Sequence, residues 1–364
     1  MQPTQQLHDL GQSLWLDNIT RKLLTSGTLR HYIADFSITG LTSNPSIFDL
    51  AIKNSNFYDD AIRQKKKEGK SGEELFFELA IEDLRQAADL FRPIHDQTAG
   101  TDGWVSLEVS PSLAYDAAST VKAAVHLHAQ AQRPNLFIKI PGTSEGHFAI
   151  EEAIFRGVPV NVTLLFSAGH YTGAAEAYLR GIERRIAKGL DPNVRSVASM
   201  FISRWDKAVM GKVPTELEDR LGIAIAKRTY KAYRDLLASP RWRRVSEAGA
   251  QPQRLLWAST GTKNPKASDT LYIKALAAPD TINTMPEKTL LAFSDHGAVG
   301  EVLPVDGGDA EKVIAMFGKA GIDDERLAAD LQREGAASFV ASWKDLLDCI
   351  ETKTAALKVT TAAS

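Results

Sequence analysis

A single cysteine, Cys349, stands in 364 residues. No disulfide can form within the chain, which suits a reducing cytosol and sets a cytoplasmic location as the expectation. No apolar run approaches the roughly 18 residues a membrane-crossing helix needs, so no bilayer span is expected. Neither sign of charge dominates: 43 basic residues against 45 acidic ones leave a net charge of -2. That balance argues against a nucleic-acid partner. The eight histidines form no ligand-spaced cluster, and HxH and HExxH are absent, so no metal and no cofactor is expected. Met1 to Gln6 has no basic stretch followed by an apolar core, and no secretory leader is expected.

What is present is alternation. Short apolar or alternating runs cover Ser13 to Asp17, Ile38 to Ser43, Trp104 to Val109, Leu136 to Ile140, Pro159 to Phe166, Ser196 to Ile202, Arg254 to Ser259 and Asp280 to Thr284. Between them lie segments with helical spacing, among them Glu73 to Phe91, Ala117 to Gln130, Ala168 to Lys188 and Thr215 to Ala238. Strands alternating with helices imply βαβ units and a parallel sheet. Eight units fit an α/β fold of the closed (β/α)8-barrel type. A doubly wound sheet is the structural alternative, but its glycine-rich phosphate fingerprint after the first strand is missing. The expected organisation is one barrel domain over 1–364, with 305–364 forming a helical extension packed on it. That extension reads as Asp309 to Phe317, then Asp323 to Leu357 with a break near Gly335. Gln64 to Glu73 reads as a solvated charge run, and Arg241-Trp242-Arg243-Arg244 as a surface loop covering helix ends.

Side chains alternate faces along a strand, so residue parity shows which groups point together. In Leu136-Phe137-Ile138-Lys139-Ile140-Pro141-Gly142 the aliphatic face suits the outer helices, which turns Lys139 into the barrel. A lone amine in such a run must reach a sheet edge, pair with an acid, or do chemistry. Burial of an amine favours its neutral, nucleophilic form. The same parity aims Ser106, Glu108 and Ser110 inward, and likewise Asn161 with Thr163, Thr42 with Asn44, Ser199 with Phe201 and Ser203, and Trp15 with Asp17. Singly these have ordinary readings: Glu108 as an ion-pair partner, Asn161 as an amide satisfying backbone, Asp17 as the N-cap of a helix from Ile19 to Thr25. Jointly they describe a barrel active site. A lysine and two carboxylates in one barrel mouth suffice for carbinolamine and imine chemistry, with the protonated imine as electron sink.

These segments resemble the transaldolase family, in its longer bacterial-type branch. The matching stretches are Leu41-Thr42-Ser43-Asn44-Pro45-Ser46-Ile47-Phe48, Val105-Ser106-Leu107-Glu108-Val109, Leu136 to Pro141, Asn161-Val162-Thr163-Leu164-Leu165-Phe166-Ser167 and Ser199-Met200-Phe201-Ile202-Ser203-Arg204, with Asp17 in Leu14 to Asn18. The resemblance implies a barrel that moves a dihydroxyacetone unit between sugar phosphates. It implies Lys139 as the Schiff-base lysine, Glu108 and Thr163 as holders of the catalytic water, and Asp17 as the group that accepts and returns the hydroxyl proton. Asn44, Asn161 and Ser199 would bind hydroxyls of the three-carbon unit, and Phe201 would shape the pocket. Family members generally hold the phosphate with two arginines and a serine. Arg204 and Ser259 match one arginine and the serine, and Lys263 stands where the second arginine is expected. Dimers occur in the family, so a homodimer is possible.

Overall fold

Fully buried strands need cover on both faces, and a closed sheet wrapped in helices gives it. The strands are β1 (Ser13–Asp17), β2 (Ile38–Thr42), β3 (Trp104–Glu108), β4 (Leu136–Pro141), β5 (Val160–Leu165), β6 (Ser196–Phe201), β7 (Gln253–Ala258) and β8 (Ile282–Met285). In the computed structural model, which describes residues 2–362, each strand pairs in parallel with the next and β8 pairs with β1. The (β/α)8 barrel expected from the sequence is therefore present, and each strand end lies within two residues of its expected position. Below the mouth the interior is filled by aromatic rings of the inward parity. Trp104 stacks on Phe137 at 4.0 Å between centroids, and Trp15 lies 6.2 Å from Phe137. Gly40 on β2 makes room for this plug, since a Cβ there would stand 2.7 Å from the Trp15 ring.

Several helices are set by their caps. Asn44, Thr143 and Ser167 cap the helices Pro45–Lys53, Ser144–Phe155 and Ala168–Ala187 with their side-chain oxygens. Asp17 caps nothing. Thr20 caps the helix Arg21–Thr25 instead, which leaves the Asp17 carboxylate for the barrel mouth. The expected helix from Thr215 to Ala238 is interrupted: a short turn at Thr215–Leu217 precedes the helix Leu221–Ala238, and Asp219 between them has φ 59°.

The two charged stretches are more ordered than the sequence suggests. Most of the lysine run belongs to the helix Asp59–Lys67, where Lys65 is buried against Glu78 and Glu82 at 3.3 and 2.7 Å. Arg241 lies on the helix Pro240–Glu247 and pairs with both Glu176 and Glu183 at 2.7 Å. These long side chains join neighbouring helices of the outer ring.

After the helix Ala310–Lys319, the C-terminal helix Asp324–Ala362 is unbroken, without the interruption expected near Gly335. The glycine serves close approach: a Cβ on it would lie 3.0 Å from Leu164 at the end of β5. Further along, Ser342 accepts a hydrogen bond from Ser46 at 2.9 Å, and Trp343 meets Phe76 edge-on at 5.0 Å. The C-terminal helix is thereby fixed against the barrel's upper rim. Among the described residues no helix is long and apolar enough to cross a membrane.

Candidate active site

Register places the central residues side by side. Glu108 on β3 pairs with Lys139 on β4, and Lys139 pairs with Asn161 on β5, so the three stand in one row on the inner face. Asp17 closes the ring from β1, opposite Thr42 on β2. Asp17, Thr42 and Glu108 end their strands and Lys139 lies in the second half of β4, towards the face where barrels of this kind carry their chemistry. Asn161 stands early in β5 and reaches the same row through the stagger of the sheet.

The Lys139 amine donates to the Ser43 carbonyl at 3.0 Å and to Glu108 Oε2 at 3.3 Å. Its remaining direction opens on a cavity of about 130 Å³. Burial raises the Glu108 carboxyl above its ordinary 4.5, with Lys139 pulling it back and Asp17 adding to the rise. Glu108 Oε1 and Thr163 Oγ1 are both buried and without a hydrogen-bond partner among the described residues. Two unpaired acceptors of this kind are costly unless something polar reaches them.

Asp17 is half-buried at the mouth. Burial lifts its pKa above 3.8, opposed by Lys139, the hydrogen bond from Thr42 and Lys263. Thr42 Oγ1 donates to Asp17 Oδ1 at 2.9 Å and also lies 2.8 Å from Thr284 Oγ1. Since the Thr42 hydroxyl has one hydrogen, given to ionised Asp17, Thr284 donates to Thr42. The relay occupies one Asp17 oxygen.

Of the sequence-selected residues, Asp17, Asn44, Lys139, Thr163 and Ser199 line the cavity on the barrel side, and Phe201, Arg204, Ser259 and Lys263 line it outward. Glu108 and Asn161 lie beneath the lining. Asn161 donates to Ser106 at 3.1 Å and accepts from Ser199 at 2.7 Å, so it holds the serine hydroxyl in place. Asn44 uses its oxygen on the Ile47 amide at 3.1 Å, which leaves its NH2 group for a ligand.

Comparison with known proteins gives the family. Residues 14–350 match the family model described as Transaldolase/Fructose-6-phosphate aldolase. A protein of Arthrobacter sp. (strain FB24) named Transaldolase is 43% identical over 358 residues, 96% of each chain. One from Saccharopolyspora erythraea with the same name is 43% identical over 351 residues, 94% of this chain and 95% of its own. Another, from Thiobacillus denitrificans, is 42% identical over 355 residues, 95% and 99% of the two chains. The chain belongs to the transaldolase/fructose-6-phosphate aldolase family. It is an enzyme of that type.

In this family member the outer end of the cavity is cationic. Arg204 and Lys263 make no ion pair with a carboxylate among the described residues. Burial lowers the pKa of both, and Arg204 and Lys207 depress Lys263 further against the pull of Asp17. Ser259, at φ 55°, shares a hydrogen bond of 2.9 Å with Ser203. Two like charges at the cavity's outer end, with hydroxyls beside them, favour an incoming anion.

Five cavity residues escaped the sequence reading as site residues: Thr42, Ala258, Thr284, Pro286 and Phe339. Thr42 shares the inward face with Asn44, and that parity was its signal. Thr284 lies at the end of the eighth run, where the same test applies. Phe339 comes from the C-terminal helix and meets Phe201 edge-on at 6.4 Å, while Phe201 lies 5.3 Å from Phe166. No strand parity reveals a helix that crosses the mouth.

Proposed function

We propose that this family member is a transaldolase of the non-oxidative pentose phosphate pathway. It transfers a dihydroxyacetone unit from a ketose phosphate (sedoheptulose 7-phosphate or fructose 6-phosphate) to an aldose phosphate (glyceraldehyde 3-phosphate or erythrose 4-phosphate). The carrying observation is the Lys139 amine at 3.3 Å from Glu108 Oε2, in a cavity that Asp17 also lines.

A neutral Lys139 amine that donates both hydrogens, to Ser43 and Glu108, aims its lone pair into the cavity. It attacks the ketone carbon. Protonated Glu108, whose raised pKa keeps the proton available, supplies the proton with which the carbinolamine hydroxyl leaves as water. Glu108 Oε1 and Thr163 Oγ1 supply the polar partners for that water. Ionised Asp17 takes the proton of the C4 hydroxyl. The C3–C4 electron pair moves into the imine, giving an enamine, and the aldose phosphate departs. An acceptor aldehyde reverses these steps: the enamine carbon attacks, Asp17 returns its proton, and water frees Lys139.

Borohydride trapping with fructose 6-phosphate, followed by peptide mass mapping, tests the assignment. The reduced adduct is expected on Lys139; an adduct on another lysine, or none, rejects it.

Transfer rather than release requires the enamine to outlive water. Phe201, Phe166 and Phe339 form an apolar wall that excludes it. Phe201→Tyr places a hydroxyl at this wall and is expected to raise the ratio of released dihydroxyacetone to transferred product severalfold, read by product analysis with and without an acceptor. An unchanged ratio removes Phe201 from this role.

The cationic end is assigned to the substrate phosphate. Lys263→Met is expected to raise KM for fructose 6-phosphate about ten- to hundredfold, the loss typical of a hydrogen bond to a charged group. Trapping by unphosphorylated dihydroxyacetone is expected to be unchanged. A KM that stays at the wild-type value places the phosphate elsewhere.

A further inference from the structure

β5 and β6 are paired regularly up to Val162 opposite Ala198, and pairing resumes at Leu165 opposite Met200. β5 therefore spends two residues, Thr163 and Leu164, where β6 spends only Ser199. Leu164 takes φ 60°, a left-handed conformation that residues with a Cβ rarely adopt. The inward–outward alternation stops here. Leu164 turns towards Gly335 of the C-terminal helix instead of the outer ring.

Such a bulge removes a carbonyl from the sheet ladder, and the Leu164 carbonyl is met from outside the barrel. The Gln332 carboxamide nitrogen donates one hydrogen to it at 2.9 Å and the other to the Gly142 carbonyl at 3.0 Å. Gly142 follows β4 directly, and its N–H donates to the Thr163 carbonyl at 2.7 Å. One side chain of the C-terminal helix thus holds the upper ends of the Lys139 strand and the Thr163 strand together. Thr163 Oγ1, buried without a partner among the described residues, has no side-chain bond to fix it. A β-branched residue in that position takes its direction from the backbone.

We propose that Gln332 is a positioning residue, whose carboxamide clamps the β5 bulge and so directs the Thr163 hydroxyl into the cavity for the water of imine formation and hydrolysis. The inference rests on the reading of Thr163 given under the proposed function.

Imine formation is read separately from carbon–carbon cleavage by a borohydride-quench time course with dihydroxyacetone, which needs no cleavage. Gln332→Met keeps the size of the side chain and loses both donors. Gln332→Glu keeps its shape but sets an acceptor against two carbonyls. Both are expected to slow imine formation about ten- to hundredfold, the scale of a catalytic group displaced by roughly an ångström. kcat should fall with KM for fructose 6-phosphate unchanged. Combined with Thr163→Ala, Gln332→Met should be no slower than Thr163→Ala alone, because the clamp acts only through that hydroxyl. Far-UV circular dichroism and a thermal melt establish that each variant is folded. Wild-type imine formation in folded Gln332→Met and Gln332→Glu, with a slow Thr163→Ala, overturns the proposal alone, as do losses that multiply in the double variant. Wild-type imine formation in Thr163→Ala overturns both the proposal and the reading beneath it.

Discussion

Lys139→Ala should leave a folded barrel with transfer activity down by at least about 10⁴-fold, the scale on which loss of a covalent nucleophile acts. No adduct should be trapped by borohydride with any substrate. Folding is expected to survive because Glu108, which loses the Lys139 amine at 3.3 Å, is already pushed towards its neutral form by burial. Without Lys139 it holds its proton to higher pH, which limits the penalty for an unpaired buried charge. Lys139→Met, closer in volume, gives the companion measurement and should match it in activity while melting higher. Residual trapping in either variant would move the nucleophile to another lysine. Retained activity would remove imine chemistry from the proposal altogether.

Asp17→Asn is the second large effect and separates the two halves of the reaction. The amide still accepts from Thr42 but takes no proton, so carbon–carbon cleavage should slow about 10²- to 10⁴-fold, the contribution of a positioned general base. Lys139 and Glu108 are untouched, and the imine should still form. Reduction with fructose 6-phosphate should then capture the intact hexulose phosphate on Lys139, where wild type gives a share of the three-carbon fragment. The adduct mass decides it: a three-carbon adduct formed at the wild-type rate would take Asp17 out of the cleavage step. The acid limb follows from the same residue. In the proposed mechanism cleavage uses the ionised carboxylate, and burial raises its pKa above 3.8, so kcat should fall as pH drops through that raised value. A substitution that lets water reach Asp17, such as Phe339→Ala, should move the limb to lower pH.

The barrel was legible because its strands are short, apolar and separated by helical spacing, and because a closed parallel sheet leaves each strand a complete signature. Parity did as much for the site. Inward residues of a strand share a parity, so Asp17, Lys139 and Ser199 could be placed without knowing the register that later set Glu108 beside Lys139. It failed at Leu164, where alternation assigns the aliphatic side chain to the outer ring and a left-handed residue turns it to the C-terminal helix. Bulges leave no trace in hydrophobic pattern, since Leu164 suits either face. Phe339 and Gln332 were invisible for another reason: their spacing to the barrel is a matter of how one long helix crosses the mouth, and nothing within that helix's own amphipathicity names its target. The supposed break at Gly335 shows the same limit. A glycine in a helix reads as an interruption until the neighbour that requires its missing side chain is known.

The position of the clamp in the chain bears on how the enzyme comes into being. Synthesis runs from the N-terminus, and Asp17, Glu108, Lys139 and Thr163 all emerge before the barrel can close, which waits for β8 at Ile282–Met285. Even then the mouth lacks Gln332 and Phe339, which come some fifty residues later along the chain. A nascent barrel therefore carries Lys139 in an unroofed pocket, with the β5 bulge not yet held by Gln332 and the apolar wall one ring short. The helix Asp324–Ala362, made after β8, is the one that adds Gln332 and Phe339 to a barrel already able to close.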